Sequence, residues 1–388
     1  MDYVRLLEIC DIQSGGTPAR SQREYWNGNI PWVKISDFAG RWLNITEEKI
    51  SQVGLENSSA KIFPRGTILF TIFATLGEVT VLNIDACTNQ AIAGLRVIDK
   101  RIVPEYLYYY LRSLKKTVNK IGRGVTQNNI NMSILRNLKM PLKTTGFQED
   151  VVKQLDQVDG ILMQRKQQLA AMDTLIKARF VEMFGNPVTN ERGWTEAMLR
   201  DVTSKIGSGA TPKGGKESYQ TEGITLIRSM NVHDGRFEYK DLAHITDAQA
   251  AQLDNVTVEE SDVFINITGA SVARSCIVPS EVLPARVNQH VAIIRCVRTQ
   301  LHPVFANNMF LNDRFKGQLL DIGESGGATR QAITKQQLEM LTVILPPIDL
   351  QNQFAAFVAH IDKSKAVVQK ALDETQLLFD SLMQKYFG

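Results

Sequence analysis

The chain has 388 residues, of which 44% are hydrophobic and 22% charged, and its formal net charge is +3. These values are ordinary for folded domains and argue against wholesale disorder, while the length predicts two domains or more. No apolar run approaches the ~20 residues that cross a bilayer, and the first residues lack the layout of a secretory signal, so we expect a cytoplasmic protein.

The four cysteines and five histidines are scattered along the chain, without a Cys-x-x-Cys pair or another metal-ligand spacing. Small buried thiols in a reducing compartment are the simplest interpretation of such cysteines. We therefore predict that the chain holds no metal.

The sequence repeats itself, beginning near the N-terminus. Ser-Gly-Gly-Thr-Pro at 14–18 returns as Ser-Gly-Ala-Thr-Pro at 208–212, a shift of 194 residues, and strand-like runs at 30–35 and 224–229 keep that shift. Such self-similarity indicates two related domains within one chain.

Later motifs continue the repeat. Asn-Gln at 89–90 corresponds to Asn-Gln at 288–289, and Gly-Val-Thr-Gln at 124–127 resembles Gly-Ala-Thr-Arg-Gln at 327–331. Short runs rich in β-branched and aromatic residues predict strands in both copies, and a helix-like stretch follows in each. The sequence predicts two mixed α/β domains, at 1–145 and 186–345, without fixing their strand order.

A long segment typical of a helix follows each domain, at 146–185 and 346–388. Apolar residues recur there at two positions per heptad, which indicates a coiled-coil seam. Arg165, Arg179 and Lys365 also occupy seam positions, where we favour snorkelling of the side chain over register control or partner docking. The predicted seam residues are Leu155, Val158, Leu162, Leu169, Met172, Ile176, Val358, Ile361, Val368, Leu372 and Phe379.

Connectivity favours pairing of the two helices over packing of each helix on its own domain. The second domain begins where the first helix ends and finishes where the second helix begins, so paired helices would run antiparallel. This predicts a dumbbell with a pseudo-twofold axis, in which a helix of about 35 residues spans roughly 50 Å.

Two weakly similar domains, each followed by a closely matching long helix, resemble the specificity subunit of type I restriction–modification systems along essentially the whole chain. The motifs that carry the resemblance are Gly-Gly-Thr-Pro at 15–18 with its echo at 209–212, Thr-Gln at 126–127, and Pro-Pro-Ile-Asp-Leu-Gln at 346–351. The first junction, at 141–148, is looser than the second.

The resemblance implies a non-catalytic subunit whose globular parts are target-recognition domains, each for one half of an asymmetric, bipartite site in double-stranded DNA. The helices would set the half-site spacing and hold two modification subunits, which carry S-adenosylmethionine and methylate adenine. Restriction subunits, motor-driven and requiring ATP and Mg²⁺, would join for cleavage. No cofactor is expected in this chain.

Polar and glycine-rich loops that occur in both domains are candidate DNA contacts. Glycine permits close backbone approach, and Thr, Lys, Arg, Asn and Gln side chains contact phosphates or base edges. Ordinary turns and solvated strand ends are the alternative interpretation. The best candidates are the late polar clusters, at 123–129 in the first domain and 329–331 in the second. The predicted DNA-binding residues are Gly16, Thr17, Lys34, Thr75, Arg123, Thr126, Gln127, Asn128, Asn129, Thr211, Lys213, Lys216, Arg228, Asn231, Ser271, Thr329, Arg330 and Gln331.

Other functions are less well supported. An adenine methyltransferase should show an Asn/Asp-Pro-Pro-aromatic motif, which is absent, and Lys-Gly-Gly-Lys at 213–216 lacks the flanking residues of a phosphate loop. No catalytic residue is predicted. A specificity subunit for a combined methylase–nuclease and a coiled-coil protein-binding scaffold stay open as alternatives.

Overall fold

The structure, a computed structural model, describes residues 2–122, 130–212, 214–324 and 331–388. Its contacts divide the chain into two compact units, Met1–Lys166 with Lys370–Gly388, and Gln167–Gln369. Each unit contains a globular body and one part of each of two long helices. The predicted division into four segments stays a prediction. None of the helices in the described ranges is long and apolar enough to cross a membrane.

The first unit is built on three small sheets. A five-stranded sheet has the order β2-β9-β6-β7-β4, a three-stranded sheet the order β5-β3-β8, and β1 pairs with β10. Its strands are β1 (Tyr3–Arg5), β2 (Cys10–Ser14), β3 (Trp26–Val33), β4 (Trp42–Leu43), β5 (Glu48–Ile50), β6 (Ile68–Thr71), β7 (Val79–Leu82), β8 (Cys87–Thr88), β9 (Ile92–Val97) and β10 (Lys139–Pro141). Its helices are α1 (Leu6–Ile9), α2 (Gln52–Glu56), α3 (Pro104–Ser113), α4 (Lys115–Gly122), α5 (Met132–Asn137) and the first part of α6 (Thr145–Phe184).

The second unit has sheets of order β12-β20-β17-β18, β16-β13-β19, β11-β21 and β14-β15. Its strands are β11 (Thr195–Met198), β12 (Thr203–Ser208), β13 (Ile224–Ile227), β14 (Val232–His233), β15 (Arg236–Phe237), β16 (Ala243–Ile245), β17 (Val263–Asn266), β18 (Ser275–Ile277), β19 (Ala285–Val287), β20 (Val291–Cys296) and β21 (Thr342–Leu345). Its helices are α7 (Asp247–Ala251), α8 (Pro303–Leu311), α9 (Asp313–Glu324), α10 (Lys335–Glu339) and the first part of α11 (Ile348–Phe387).

The two units share their strand pairing. β2-β9-β6-β7 corresponds to β12-β20-β17-β18, and β5-β3-β8 corresponds to β16-β13-β19, with one parallel pair in each three-stranded sheet. The central strands β6 and β17 are buried at all four positions and rich in β-branched and aromatic residues, as the interior of a sheet requires. The predicted mixed α/β fold and internal repeat are confirmed.

Within each unit the long helices are in contact. In the first unit the hydroxyl of Tyr386 donates to Gln154 Oε1 at 2.8 Å. In the second unit Lys365 Nζ lies 2.6 Å from Asp173 Oδ1, while the rings of Phe180 and Phe354 lie 5.5 Å apart. In the second unit residue numbers rise along α6 as they fall along α11, so the predicted antiparallel pair is confirmed there.

A fully buried glutamine fastens the start of each long helix to its globular body. Gln351 Nε2 donates to the carbonyl oxygens of Gln300 at 3.0 Å and Pro346 at 2.8 Å, and its Oε1 accepts from the amide of His302 at 2.8 Å. Gln148 makes the three equivalent bonds, to Arg101, Lys143 and Val103, at 2.8–2.9 Å. Both side chains are 0% exposed. The repeat therefore extends to hydrogen bonds that fix the helix junctions.

Candidate functional site

The Gly-Gly-Thr-Pro loop at 15–18 and the Gly-Ala-Thr-Pro loop at 209–212 lie beside the Asn-Gln turns of their units. The amide of Gly16 donates to the carbonyl of Thr88 at 2.8 Å, and that of Gly209 donates to the carbonyl of Asn288 at 3.1 Å. A Cβ atom on Gly16 would lie 2.3 Å from Ser59 Oγ, and one on Gly209 would lie 1.7 Å from the Val287 carbonyl oxygen. Packing against the chain itself explains why these positions lack a side chain.

A threonine–glutamine hydrogen bond joins each loop to its turn. Thr17 Oγ1 donates to Gln90 Oε1 at 2.5 Å, and Thr211 Oγ1 donates to Gln289 Oε1. Gln90 and Gln289 are both exposed. In the sequence the threonine loop and the Asn-Gln turn are two separate repeated motifs. The structure brings them into contact at the same place in each unit.

The turns themselves are held by asparagine side chains. Asn89 Oδ1 accepts from the amide of Ala91 at 3.0 Å, and Asn288 Oδ1 accepts from the amide of His290 at 3.0 Å. Such short side-chain-to-backbone bonds rigidify a turn. The glutamine that follows each asparagine is thus presented from a fixed backbone.

A third loop completes each arrangement. In the first unit the amide of Ile72 donates to the carbonyl of Ala91 at 2.9 Å, and the amide of Ile130 donates to the carbonyl of Ile72 at 3.0 Å. In the second unit the amide of Ile267 donates to the carbonyl of His290 at 3.0 Å, and the amide of Ile333 donates to the carbonyl of Ile267 at 2.8 Å. We call residues 14–18, 72–77 and 89–91 the first polar face, and residues 208–212, 267–272 and 288–290 the second polar face.

Several predicted contact residues lie on or beside these faces. Thr75 is exposed in its loop, and its carbonyl accepts from Thr71 Oγ1. Ser271 is half-buried and ends a turn of 3₁₀ helix, Gly269–Ser271. Gln331 is half-buried and donates to Glu324 Oε1 at 2.7 Å, while its carbonyl accepts from the amide of Gly269.

Arg123, Thr126, Gln127, Asn128, Asn129, Lys213, Thr329 and Arg330 lie outside the described residues, as does the side chain of Lys216. Their neighbours Ile130 and Gln331 are hydrogen-bonded to the first and second polar face, respectively. The described residues next to the late polar clusters therefore contact the polar faces. The predicted DNA contacts of the clusters themselves stay predictions.

Lys34 is engaged within the first unit. Its Nζ lies 2.6 Å from Glu47 Oε2 and 2.9 Å from Glu48 Oε1, and hydrogen bonds to these carboxylates raise the pKa of Lys34 to about 12. Burial acts to raise the pKa of Glu48, but hydrogen bonds from Lys34 and Arg20 outweigh it, so that pKa lies below its ordinary value. The two carboxylates neutralise Lys34, which weakens the expectation that it contacts a phosphate.

Arg228 and Asn231 are likewise occupied inside the second unit. The Arg228 guanidinium lies 5.4 Å from the Tyr219 ring centroid and donates to the carbonyl of Asp241. Asn231 is 0% exposed, accepts from the amide of Arg228 at 3.1 Å and donates to the carbonyl of Glu238 at 3.0 Å. The expectation that Asn231 presents its amide to a base is corrected: that amide caps the turn after β13.

Arg20 was not among the predicted contacts but lies two residues after the Gly-Gly-Thr-Pro loop. Its guanidinium lies 3.8 Å from the Trp26 ring centroid and 4.9 Å from that of Trp32, and its side chain is 54% exposed although paired with Glu48. The Trp32 Nε1–H donates to the carbonyl of Gly16 at 3.0 Å, which ties this cation to the first polar face.

Eight of the eleven predicted seam residues lie in or against the apolar cores of the units. Leu155, Val158 and Leu162 are buried in the first unit with Phe379, and Leu372 packs against that cluster. Ile176 and Val358 are buried in the second unit, where Ile361 packs against them. Leu169, Met172 and Val368 are half-buried. A charged seam residue also contributes a contact between the helices, because Lys365 forms an ion pair with Asp173 instead of extending only into solvent.

The described residues contain no group of three or more His, Cys, Asp or Glu side chains that could hold a metal ion. The polar faces instead combine amides, hydroxyls and backbone groups, which form hydrogen bonds to polar ligands. This chemistry suits recognition of an extended polar partner.

Comparisons with known proteins show similarity to specificity subunits of type I restriction enzymes. The family model of the type I restriction modification DNA specificity domain matches residues 1–171. The chain is 24% identical to the specificity subunit of the type I restriction enzyme MjaIX of Methanocaldococcus jannaschii, over 99% of this chain and 92% of that protein. It is 22% identical to the EcoBI specificity subunit of Escherichia coli, over 100% of this chain and 80% of that protein.

Solved structures share the fold along the whole chain. The S subunit of a type I restriction-modification system from M. genitalium has a TM-score of 0.55 at 14% identity, covering 100% of this chain and 96% of that one. A chain from a study of complex assembly and conformational transition of the type I R-M system has a TM-score of 0.54 at 18% identity, covering 100% and 97%. At these identities the likeness concerns the fold alone.

Proposed function

We propose that this chain selects the DNA sequence on which a type I modification and restriction complex acts. The proposal is supported by the match of residues 1–171 to the model of the type I restriction modification DNA specificity domain and by the similarity of the whole chain to two type I specificity subunits. In this family the specificity chain recognises DNA and the chemistry belongs to other subunits, so the chain is a recognition subunit and not an enzyme. The observation that carries the proposal is a single polar face built twice, from matching loops with different side chains.

Each polar face serves one half of the DNA site. The backbone bonds of the two faces correspond, but Ala91 stands where His290 stands in the second unit. Base edges are distinguished by the donors and acceptors that meet them in a groove. Different side chains on the same backbone therefore predict two different half-sites and an asymmetric, bipartite target, in contrast to the palindrome read by a symmetric dimer.

The complex would contain partner subunits as well as DNA. Two modification subunits would bind the long helices, which set the half-site spacing, and supply S-adenosylmethionine for adenine methylation. Restriction subunits would supply ATP- and Mg²⁺-dependent cleavage, and this chain would hold no cofactor. We place the complex in the cytoplasm. The support for these partners is the similarity of the chain to type I specificity subunits.

The test is a methylome determined by single-molecule sequencing in a host that carries the accompanying methyltransferase gene, with and without the gene for this chain. We expect an asymmetric bipartite adenine-methylation motif in the presence of the chain and none in its absence. Methylation of the same sites in both strains would show that the methyltransferase selects its own target, and would overturn the proposal.

A further inference from the structure

We propose that Gln90 and Gln289 each recognise an adenine in their respective half-sites, and that Thr17 and Thr211 are the positioning residues that aim them. This inference rests on the proposed function and names the side chains through which it acts. Neither glutamine is part of a strand or helix, and the two occupy equivalent positions in the internal repeat, directly after the asparagine of the Asn-Gln motif.

The position of the two glutamines favours readout over a structural role. Both side chains are exposed, whereas the asparagine before each is tied to the backbone of its turn. The turn is held from both sides: the amide of Asn89 donates to the carbonyl of Val33 at 3.3 Å, and that of Asn288 to the carbonyl of Ile227 at 3.0 Å. A fixed turn with an exposed amide side chain meets the geometric need of base recognition.

Adenine is the base that a glutamine amide matches best. Its Oε1 accepts from the N6 amino group while Nε2 donates to N7, the two-bond contact that discriminates adenine in the major groove. The amide oxygen has two acceptor positions, and Thr17 or Thr211 uses one. The hydroxyl bond thus orients the amide and leaves one acceptor position for the base, together with both Nε2 hydrogens of Gln90 and one Nε2 hydrogen of Gln289, whose other hydrogen faces His290.

The two glutamines differ in how firmly they are held. Gln289 Nε2 lies 3.1 Å from His290 Nε2, and His290 Nδ1 lies against Thr268 Oγ1 at 2.5 Å, so the second face has a continuous network from Thr211 to Thr268. Among the described residues, the hydrogen bonds of the Gln90 side chain are limited to the one from Thr17. Loss of the threonine hydroxyl should therefore disturb the first half-site more than the second.

The test is selection from a random DNA library by the full chain in complex with its modification subunits, followed by sequencing of the bound DNA. We expect the wild-type complex to select a bipartite motif with a preferred adenine in each half. Q90A should lower the preference at one adenine of one half-site by about 10-fold or more, and Q289A at one adenine of the other, the size expected for loss of a two-bond contact. Q52A and Q252A change exposed glutamines elsewhere on the same units and should leave the motif intact.

Thr17 is tested by T17V and T17S with the same selection. T17V should lower the preference at the position that Q90A affects, T17S should restore it, and T211V should have a smaller effect in the other half. Thermal unfolding of each variant separates a change of motif from a loss of folded protein.

The results distinguish this inference from the function on which it rests. A wild-type bipartite motif that Q90A and Q289A leave unchanged, or weaken equally at all positions, would overturn the glutamine assignment and leave the proposed function standing. Loss of preference at a base other than adenine would overturn it too. Failure of the wild-type complex to select any motif would overturn both.

Discussion

Replacement of Gln351 by leucine should destabilise the second unit strongly. The amide of Gln351 satisfies three backbone groups at the junction between β21, α8 and α11: the amide of His302 and the carbonyls of Gln300 and Pro346. Leucine has a similar volume but can bond to none of them. Because Gln351 is 0% exposed, water has no access through the side chain's position without a rearrangement of the junction.

The magnitude follows from the three orphaned groups. A buried backbone group that loses its partner costs about 1–3 kcal/mol, and burial of the leucine side chain offsets part of the sum, so we expect a loss of about 3 kcal/mol or more. For a cooperative unit of about 200 residues, this lowers the unfolding temperature by about 6–12 °C.

Differential scanning calorimetry of the full chain measures the effect and shows whether the two units unfold in separate transitions. Q353L, at an exposed position of the same helix, is the matched control and should lie close to the wild type. Q148L should produce a similar loss in the first unit. If Q351L unfolds within about 1 °C of Q353L, the buried glutamine does not hold the junction and the reasoning fails.

Three further predictions concern the cores of the two units. Tyr106 is 0% exposed, its hydroxyl lacks a hydrogen-bond partner among the described residues, and Phe305 occupies the matching position of the second unit. Y106F should therefore raise the free energy of unfolding in urea by about 1 kcal/mol, and a decrease would contradict this reasoning. The buried Asp262 carboxylate is bound by Arg295 at 2.8 and 2.9 Å, so R295M should lower the free energy of unfolding by about 3–5 kcal/mol. R298M, at an exposed site, should lower it little, and equal stabilities of the two variants would refute the role of the pair. Burial raises the pKa of the Cys10, Cys276 and Cys296 thiols from 9.0 to about 12, so the contribution of these thiols to stability should be constant below pH 9 and decline as the pH rises toward 12. Rapid reaction of the native chain with a thiol reagent at pH 8 would contradict this burial.

The repeat and the long helices could be predicted because both depend on local spacing. Pairs of motifs at nearly constant shifts define two copies, and heptads such as Leu155 to Leu162 reveal the apolar side of a helix. Strand order could not be predicted, because pairing of β2 with β9 joins residues about eighty positions apart. The structure supplies that order and shows that it is the same in the two units.

The candidate site was only partly predictable for the same reason. Thr17 and Thr211 belong to a conspicuous motif, but their partners Gln90 and Gln289 lie on distant turns, so the sequence showed two repeated motifs and not one contact. Lys34 resembles a free cation until β5 places Glu48 beside it. A repeated polar dipeptide such as Asn-Gln is the signal from which the glutamines could have been predicted.

Exchange of one globular domain tests the central claim most directly. Residues 1–145 would be replaced by the corresponding domain of a specificity subunit with a different known target, and the methylated motif would be determined by single-molecule sequencing in the presence of the modification subunits. The account predicts that one half-site changes to that of the donor while the other half-site is retained. A motif that stays entirely unchanged in a folded, active hybrid would contradict the claim that this domain selects DNA sequence.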